Sequence, residues 1–155
     1  MRKYKFKKVT NKDYLTIFNW RNERQARKYS YNKKKFNLQL HQQWLKYQLR
    51  KKYDHFWFFV HRKTKIGFIR LNLKSKKFIL SYLISKKFRK KKLATKMLKQ
   101  MINTIKKKKQ NRKLFIIANV NTSNIASRQS LLASGFKLLK KSKKFLTFKY
   151  SFYEN

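Results

Sequence analysis

The sequence predicts an α/β or α+β domain in which helices cover a mixed sheet. Three observations carry this. Residues 3–9 and 146–152 alternate aromatic or aliphatic side chains with Lys, Thr or Ser, the period of a half-buried strand. Residues 89–109 place Leu93, Met97, Leu98, Met101, Ile102 and Ile105 on one helical face and Lys96, Lys99, Gln100 and Asn103 on the other. Leu114 to Val120 is continuously apolar, the pattern of a central strand buried on both sides.

The elements follow in order. Tyr4 and Phe6 alternate with Lys3, Lys5 and Lys7 in a first strand. Asp13 is placed to cap a helix holding Tyr14, Leu15, Ile17, Phe18 and Trp20. Residues 38–50 set Leu38, His41, Trp44, Leu45 and Leu49 at helical spacing. Phe56 to Val60 and Ile66 to Leu73 read as strands joined by the short turn Arg62-Lys63-Thr64-Lys65, and Phe78 to Ser85 as a fourth. The amphipathic helix and the apolar strand come next. Ser123 or Asn124 then starts a helix that ends at Gly135, a suitable C′ residue. The chain closes with a hairpin in which Leu146, Phe148, Tyr150 and Phe152 share a face and pair with residues 136–139. The expected order is β-α-α-β-β-β-α-β-α-β-β. No Gly/Pro/Ser-rich linker interrupts it, so residues 1–155 are read as one domain.

Composition narrows the chemistry. There is no cysteine, which excludes disulfides, thiolate metal sites and a cysteine nucleophile. Three histidines (His41, His55, His61) and four acids (Asp13, Glu23, Asp54, Glu154) are too few and scattered for a metal site. No apolar run is long enough to span a bilayer, and the N-terminus lacks a signal peptide's apolar stretch, so a cytoplasmic protein is expected. The formal net charge is +41, with only two Gly and no Pro. One explanation is selection for binding polyanions, and non-specific binding of this kind is expected in any case. The other is codon drift toward A and T, which replaces Glu by Lys, Asp by Asn and Gly by Lys or Arg. The GC content of the coding DNA separates the two. Runs such as Lys33 to Lys35 and Lys106 to Lys109 read as solvated turns and helix ends.

The stretch Phe78–Ser85, Arg89-Lys90-Lys91-Lys92-Leu93-Ala94-Thr95, then Asn124-Ile125-Ala126-Ser127 running to Gly135-Phe136, resembles the acyl-CoA-binding half of the GNAT-type N-acetyltransferases. The element order matches that family over essentially the whole chain. The resemblance implies a mostly antiparallel twisted sheet with helices on both faces, and acetyl-CoA as co-substrate. It assigns cofactor contacts to Leu83, Ile84 and Ser85 at the end of the fourth strand. Further contacts fall on Arg89, Lys90, Lys91, Lys92, Leu93, Ala94 and Thr95 at the helix start, and on Asn124 and Ser127 along the pantetheine arm. A helix start offers free N–H groups and a positive dipole end to a pyrophosphate. Lys90 and Lys92 replace the family's glycines, which elsewhere let the backbone approach phosphate. The segment is also consistent with a plain basic turn before a helix, and Asn124 with a plain cap. The family's usual Glu base falls on Ile79 and its usual Tyr acid on Leu131, and neither can move a proton.

Trp20-Arg21-Asn22, Tyr29-Ser30 and Leu40-His41-Gln42-Gln43-Trp44-Leu45 resemble the branch that acetylates nucleotide-linked amino sugars, as in the pseudaminic-acid pathway for flagellin and surface glycans. That resemblance implies a small-molecule amine acceptor carried on a nucleotide, with Arg21, Asn22 and Tyr29 on the acceptor side. His41 is then the candidate general base, its ordinary pKa lying near the working range. A packed helix histidine and a surface arginine are the competing readings. Two other functions stay open. A ribosomal-protein-type N-terminal acetyltransferase shares the Asn-x-x-Ser…Gly-Phe word and the missing Tyr. A nucleic-acid-binding module, or an inactive relic, fits the interleaved aromatic and basic residues.

Overall fold

The structure is a computed structural model that describes residues 3–108 and 113–153. Lys109 and Glu154, both used in the sequence reading, lie outside the described residues. Seven strands form one sheet in the order β1-β2-β3-β4-β5-β7-β6. They are β1 (Tyr4–Lys8), β2 (His55–His61), β3 (Thr64–Lys74), β4 (Lys77–Ile84), β5 (Phe115–Asn121), β6 (Lys137–Lys141) and β7 (Phe145–Ser151). Every pairing is antiparallel except β4 with β5. This is the mixed, mostly antiparallel sheet that the sequence predicts.

Among the described residues five α-helices accompany the sheet: α1 (Tyr14–Asn22), α2 (Arg24–Lys28), α3 (Leu38–Leu49), α4 (Leu93–Lys108) and α5 (Ile125–Ala133). One core cluster joins Ile17 of α1 and Leu45 of α3 to Phe56, Phe58, Val60 and Phe68 on one face of the sheet. The other joins Met97, Leu98, Met101, Ile102 and Ile105 of α4 and Leu131 of α5 to the opposite face. Each of these apolar side chains contributes about 1.5–3 kcal/mol by leaving water. Helices therefore cover both faces, as expected.

Three sequence expectations need correction. The amphipathic helix begins at Leu93 and not at residue 89, because Arg89 is extended and Lys90 and Lys92 adopt left-handed backbone. The N-terminal region holds a third helix, α2, set off where Glu23 turns extended (ψ 138°) and its carboxylate accepts from the Gln25 and Ala26 amides. Asp13 does not cap α1 through its side chain. Its carboxylate instead accepts from Thr10 N–H at 2.8 Å and from Lys65 Nζ at 2.7 Å.

The C-terminal end of α5 agrees with the reading of Gly135. Gly135 has φ +92°, its N–H donates to Leu132 O, and Phe136 N–H donates to Leu131 O. This is the paired-bond stop that a left-handed C′ residue permits, with buried Phe136 and Leu131 in one cluster.

Candidate active site

The parallel junction of β4 and β5 is short. It runs from Lys77↔Phe115 to Leu80↔Ala118, and beyond it the strands go separate ways. Ser81 to Ile84 of β4 keep their partners on β3, and Asn119 to Asn121 of β5 keep theirs on β7. The edges that face each other across the gap therefore carry backbone groups without a strand partner. Unpaired backbone groups of this kind are strong hydrogen-bonding sites for a ligand.

The open end of β4 leads into the Arg89–Lys92 loop and α4. The two positions where the family's glycines are expected, Lys90 and Lys92, are left-handed at φ 60° and 55°. The lysines therefore adopt a left-handed backbone of the kind that glycine takes up without steric cost. All three lysines of the loop are exposed, while Leu93, Ala94 and Thr95 are half-buried. The first-turn N–H groups of α4 have no intrahelical acceptor, by the geometry of any helix start. The loop thus combines free N–H groups, a positive helix end and three ammonium groups.

Arg89, expected among the cofactor contacts, is engaged within the chain. Its Nε donates to Ile84 O at 3.0 Å, one terminal nitrogen to Gln25 Oε1 at 3.0 Å, and the other to Glu23 Oε2 at 2.7 Å. The guanidinium ties the end of β4 to α2. Burial alone would raise the Glu23 pKa, but bonds from Arg89 and from the Gln25 and Ala26 amides outweigh it and lower the value. Asn19, Trp20, Glu23, Lys65, Ser85 and Arg89 line a cleft of about 400 Å³ at this corner. Ser85 is buried, its N–H donating to Ile66 O.

Across the gap, Asn124 caps α5 by accepting from Ser127 N–H at 3.2 Å. The Ser127 hydroxyl is hydrogen-bonded to Tyr82 Oη, a link from α5 back to the unpaired stretch of β4. Burial pushes the Tyr82 phenol up to about 12, against a small opposing effect of Ser127. Ile79 is half-buried and Leu131 lies in the core, so neither position supplies a proton-moving group.

The acceptor-side residues separate into three roles. The Asn22 amide is engaged at both ends by Phe36, accepting from its N–H at 2.6 Å and donating to its carbonyl at 3.3 Å, which pins the α2–α3 loop. Tyr29 ends α2, half-buried, with Lys28 Nζ over its ring. That loop reaches the far hairpin, where Tyr31 stacks on Phe145 at 4.0 Å.

His41 is not the accessible base that its ordinary pKa suggested. It is 3% exposed and packed among Phe18, Phe36 and Trp44. Burial, with a smaller effect of Arg21, pushes its pKa down to about 4 against a weaker opposing effect of the Tyr14 backbone.

Arg21 lies over the rings of Phe36 and Trp44, at 4.2 and 4.4 Å from their centroids. Arg70 of β3, which the sequence reading missed, lies over the same Trp44 ring at 5.0 Å and donates to Ser81 Oγ at 3.2 Å. The available signal was an arginine at a core-facing position of a buried strand, between Phe68 and Asn72.

The splayed strand pair thus opens into a basic helix start, bringing backbone hydrogen-bonding groups and positive charge together along one line. The chain belongs to the acetyltransferase (GNAT) domain family, whose pattern matches residues 4–137. No curated protein matches the sequence at a significant level. The fold is similar to that of a domain from Methanocaldococcus jannaschii DSM 2661, with TM-score 0.83 and 18% identity over 97% of this chain and 99% of that one. It is similar to spermidine N-acetyltransferase from Vibrio cholerae in complex with CoA and spermine, with TM-score 0.82 and 12% identity over 96% and 95% of the two chains. It is also similar to aminoglycoside acetyltransferase AAC(6')-Ib in complex with ribostamycin and coenzyme A, with TM-score 0.81 and 12% identity over 96% and 93%. None of these comparisons points to a nucleotide-linked amino sugar. No helix among the described residues is long and apolar enough to cross a membrane, and no group of potential metal ligands occurs among them.

Proposed function

We propose that this protein is an acetyl-CoA-dependent N-acetyltransferase acting on a primary amine. The observation that carries the reading is the β4–β5 gap feeding a helix-entry loop whose Lys90 and Lys92 keep the glycine backbone. Acetyl-CoA supplies an activated acetyl thioester. The facing edges of Ser81–Ile84 and Asn119–Asn121 hydrogen-bond its pantetheine amides. The first-turn N–H groups of α4 and the ammonium groups of Lys90, Lys91 and Lys92 hold its pyrophosphate. Ser127 lies beside this arm, and Asn124 sets its position through the α5 cap. Catalysis then rests chiefly on holding amine and carbonyl together. With His41 buried and Ile79 and Leu131 inert, the amine's proton passes to water as the C–N bond forms, and the C–S bond breaks to release CoA as a thiolate that solvent protonates.

The finer reading of the acceptor is an amino sugar carried on a nucleotide. Polyamine or aminoglycoside acceptors are polycations and call for free carboxylates. Here Asp13 is bonded to Lys65, Glu23 to Arg89, and Asp54 to Asn72 and the Leu73 amide. The whole chain, at +41, favours an anionic carrier by simple attraction.

Titration calorimetry with acetyl-CoA at moderate salt, with ATP as anion control, tests the core of this reading. One-to-one binding much tighter than that of ATP is expected. Equal and salt-sensitive binding of both would reduce the site to a polycation meeting polyanions.

A further inference from the structure

We propose that Arg21 and Arg70, set against Trp44, form the seat for a phosphoryl group on the acceptor. The inference rests on the acetyltransferase reading and names the part of the acceptor that this face recognises. Two half-buried guanidiniums share one indole, and each lies within 5.0 Å of its ring centroid. Neither forms an ion pair among the described residues, whose salt bridges engage Lys51, Lys65 and Arg89 instead. Asp54 acts on Arg70 only from beyond ion-pair distance, its oxygens engaged by Asn72 at 2.6 Å and by the Leu73 amide at 2.8 Å. The Arg21 guanidinium makes no side-chain hydrogen bond among the described residues, which leaves its five N–H donors to the ring contacts.

Such a pair is poorly solvated and self-repelling. Ring contacts compensate a cation only in part. A phosphoryl group supplies both the missing charge and acceptor atoms in the fork geometry that guanidinium favours. A single carboxylate brings half that charge.

The location fits an acceptor and not the CoA pyrophosphate. Arg70 is paired in register with Ser81 and bonded to its hydroxyl. Ser81 is the first residue of β4 beyond the last β4–β5 rung at Leu80↔Ala118. The pair therefore flanks the inner end of the gap, on the α1–α3 side of the sheet. The Lys90–Lys92 loop lies beyond the other end of that stretch. A phosphoryl group held by Arg21 and Arg70 would sit beside Ser81, where the β4 edge of the gap begins.

The test reads one local signal, so that general attraction to a polycation does not count. The three tryptophan indole N–H resonances are assigned with Trp44→Phe, and the protein is titrated with UMP, acetate and spermine. UMP is expected to move the Trp44 indole resonance saturably, more strongly than acetate, with no response to spermine. Arg70→Gln and Arg21→Met should each weaken UMP by about tenfold or more, the usual effect of losing a charge-assisted hydrogen bond. Lys46→Gln, an equal charge loss on an exposed residue of α3, should change it less than twofold. Acetyl-CoA titration of the same variants should be unchanged. An unmoved Trp44 signal, equal losses in the lysine control, or a stronger response to acetate or spermine would overturn the proposal. Should a variant fail to fold, the Arg21→Lys and Arg70→Lys pair carries the comparison, since both keep charge and lose the fork. Failure of acetyl-CoA to bind while Trp44 still responds to UMP would instead remove the acetyltransferase reading.

Discussion

At the scale of single residues, backbone conformation and burial decide what each side chain can do. A non-glycine residue in left-handed helical backbone costs roughly 1–2 kcal/mol. Lys90→Gly and Lys92→Gly are therefore each expected to raise stability by about 1 kcal/mol in urea unfolding. Both should weaken acetyl-CoA binding several-fold, because an ammonium leaves the pyrophosphate seat. His41 gives a second expectation. Its pKa is about 4 folded and 6.5 by ordinary value, so the unfolded chain takes up the proton first as pH falls. The stability it contributes is complete above pH 6.5 and is lost as pH falls toward 4. Glu23, held below its usual 4.5, adds a further loss as pH falls below that value. Unfolding curves between pH 7 and 4 should therefore slope downward in the wild type and flatten in His41→Phe. The same variant should keep kcat within about threefold, whereas loss of a general base costs about 10²–10⁴-fold. The residue names at the site were legible in the sequence, and several of their partners were not. Arg89, Asp13 and Asn22 were visible as charged or polar side chains. Their engagement with Glu23, Lys65 and Phe36 depends on segments up to 66 residues away.

At the scale of elements, periodicity was the reliable signal. Strands β2 to β5 and helix α4 lie within a few residues of their predicted spans because large apolar side chains alternate or repeat there. Helix α2 was invisible because Trp20 through Lys28 contains no helix breaker. The break comes from Glu23, turned outward by its bonds to Arg89 and to two amides of its own chain. The β4–β5 gap was likewise beyond sequence periodicity, since both strands continue their apolar pattern past their last shared rung. Gly67 places a constraint on that gap. It pairs with Ile84, and a Cβ there would overlap the Leu83 carbonyl oxygen, a backbone atom of the strand that lines the gap. Gly67→Ala is expected to destabilise the fold by about 2 kcal/mol or more. Calorimetry should show acetyl-CoA affinity falling with it, because relief requires β4 to move.

At the scale of the whole molecule, charge dominates. With 45 basic and 4 acidic residues, the folded state gathers repulsion that the expanded chain relieves. Raising NaCl from about 20 mM to about 0.5 M is expected to raise Tm by roughly 5 °C, with sulfate acting at lower concentration. A Tm that falls over this range would mean that attractive pairs outweigh the repulsion. The aromatic content, which from composition alone resembled a nucleic-acid platform, goes largely into core and half-buried packing: Phe58, Phe59, Phe78, Phe136 and Phe148 are fully buried, and few aromatics, such as Tyr31, Tyr47 and Tyr53, are exposed. Composition described the surface faithfully and the function poorly, since a core of this quality supports a specific site beneath a generic coat of lysine.

The three described carboxylates each join separate parts of the chain: Asp13 to Lys65, Glu23 to Arg89, and Asp54 to Asn72 and Leu73. This makes the protein's tolerance of change lopsided. Across most of its surface, exchanging a lysine for an acid removes repulsion and harms nothing. The reverse exchange at any of these three positions turns a clasp into a clash, with no neighbouring acid among the described residues to take over. These three scarce carboxylates are thus among the least replaceable residues described, and the room to vary lies mainly among the abundant lysines.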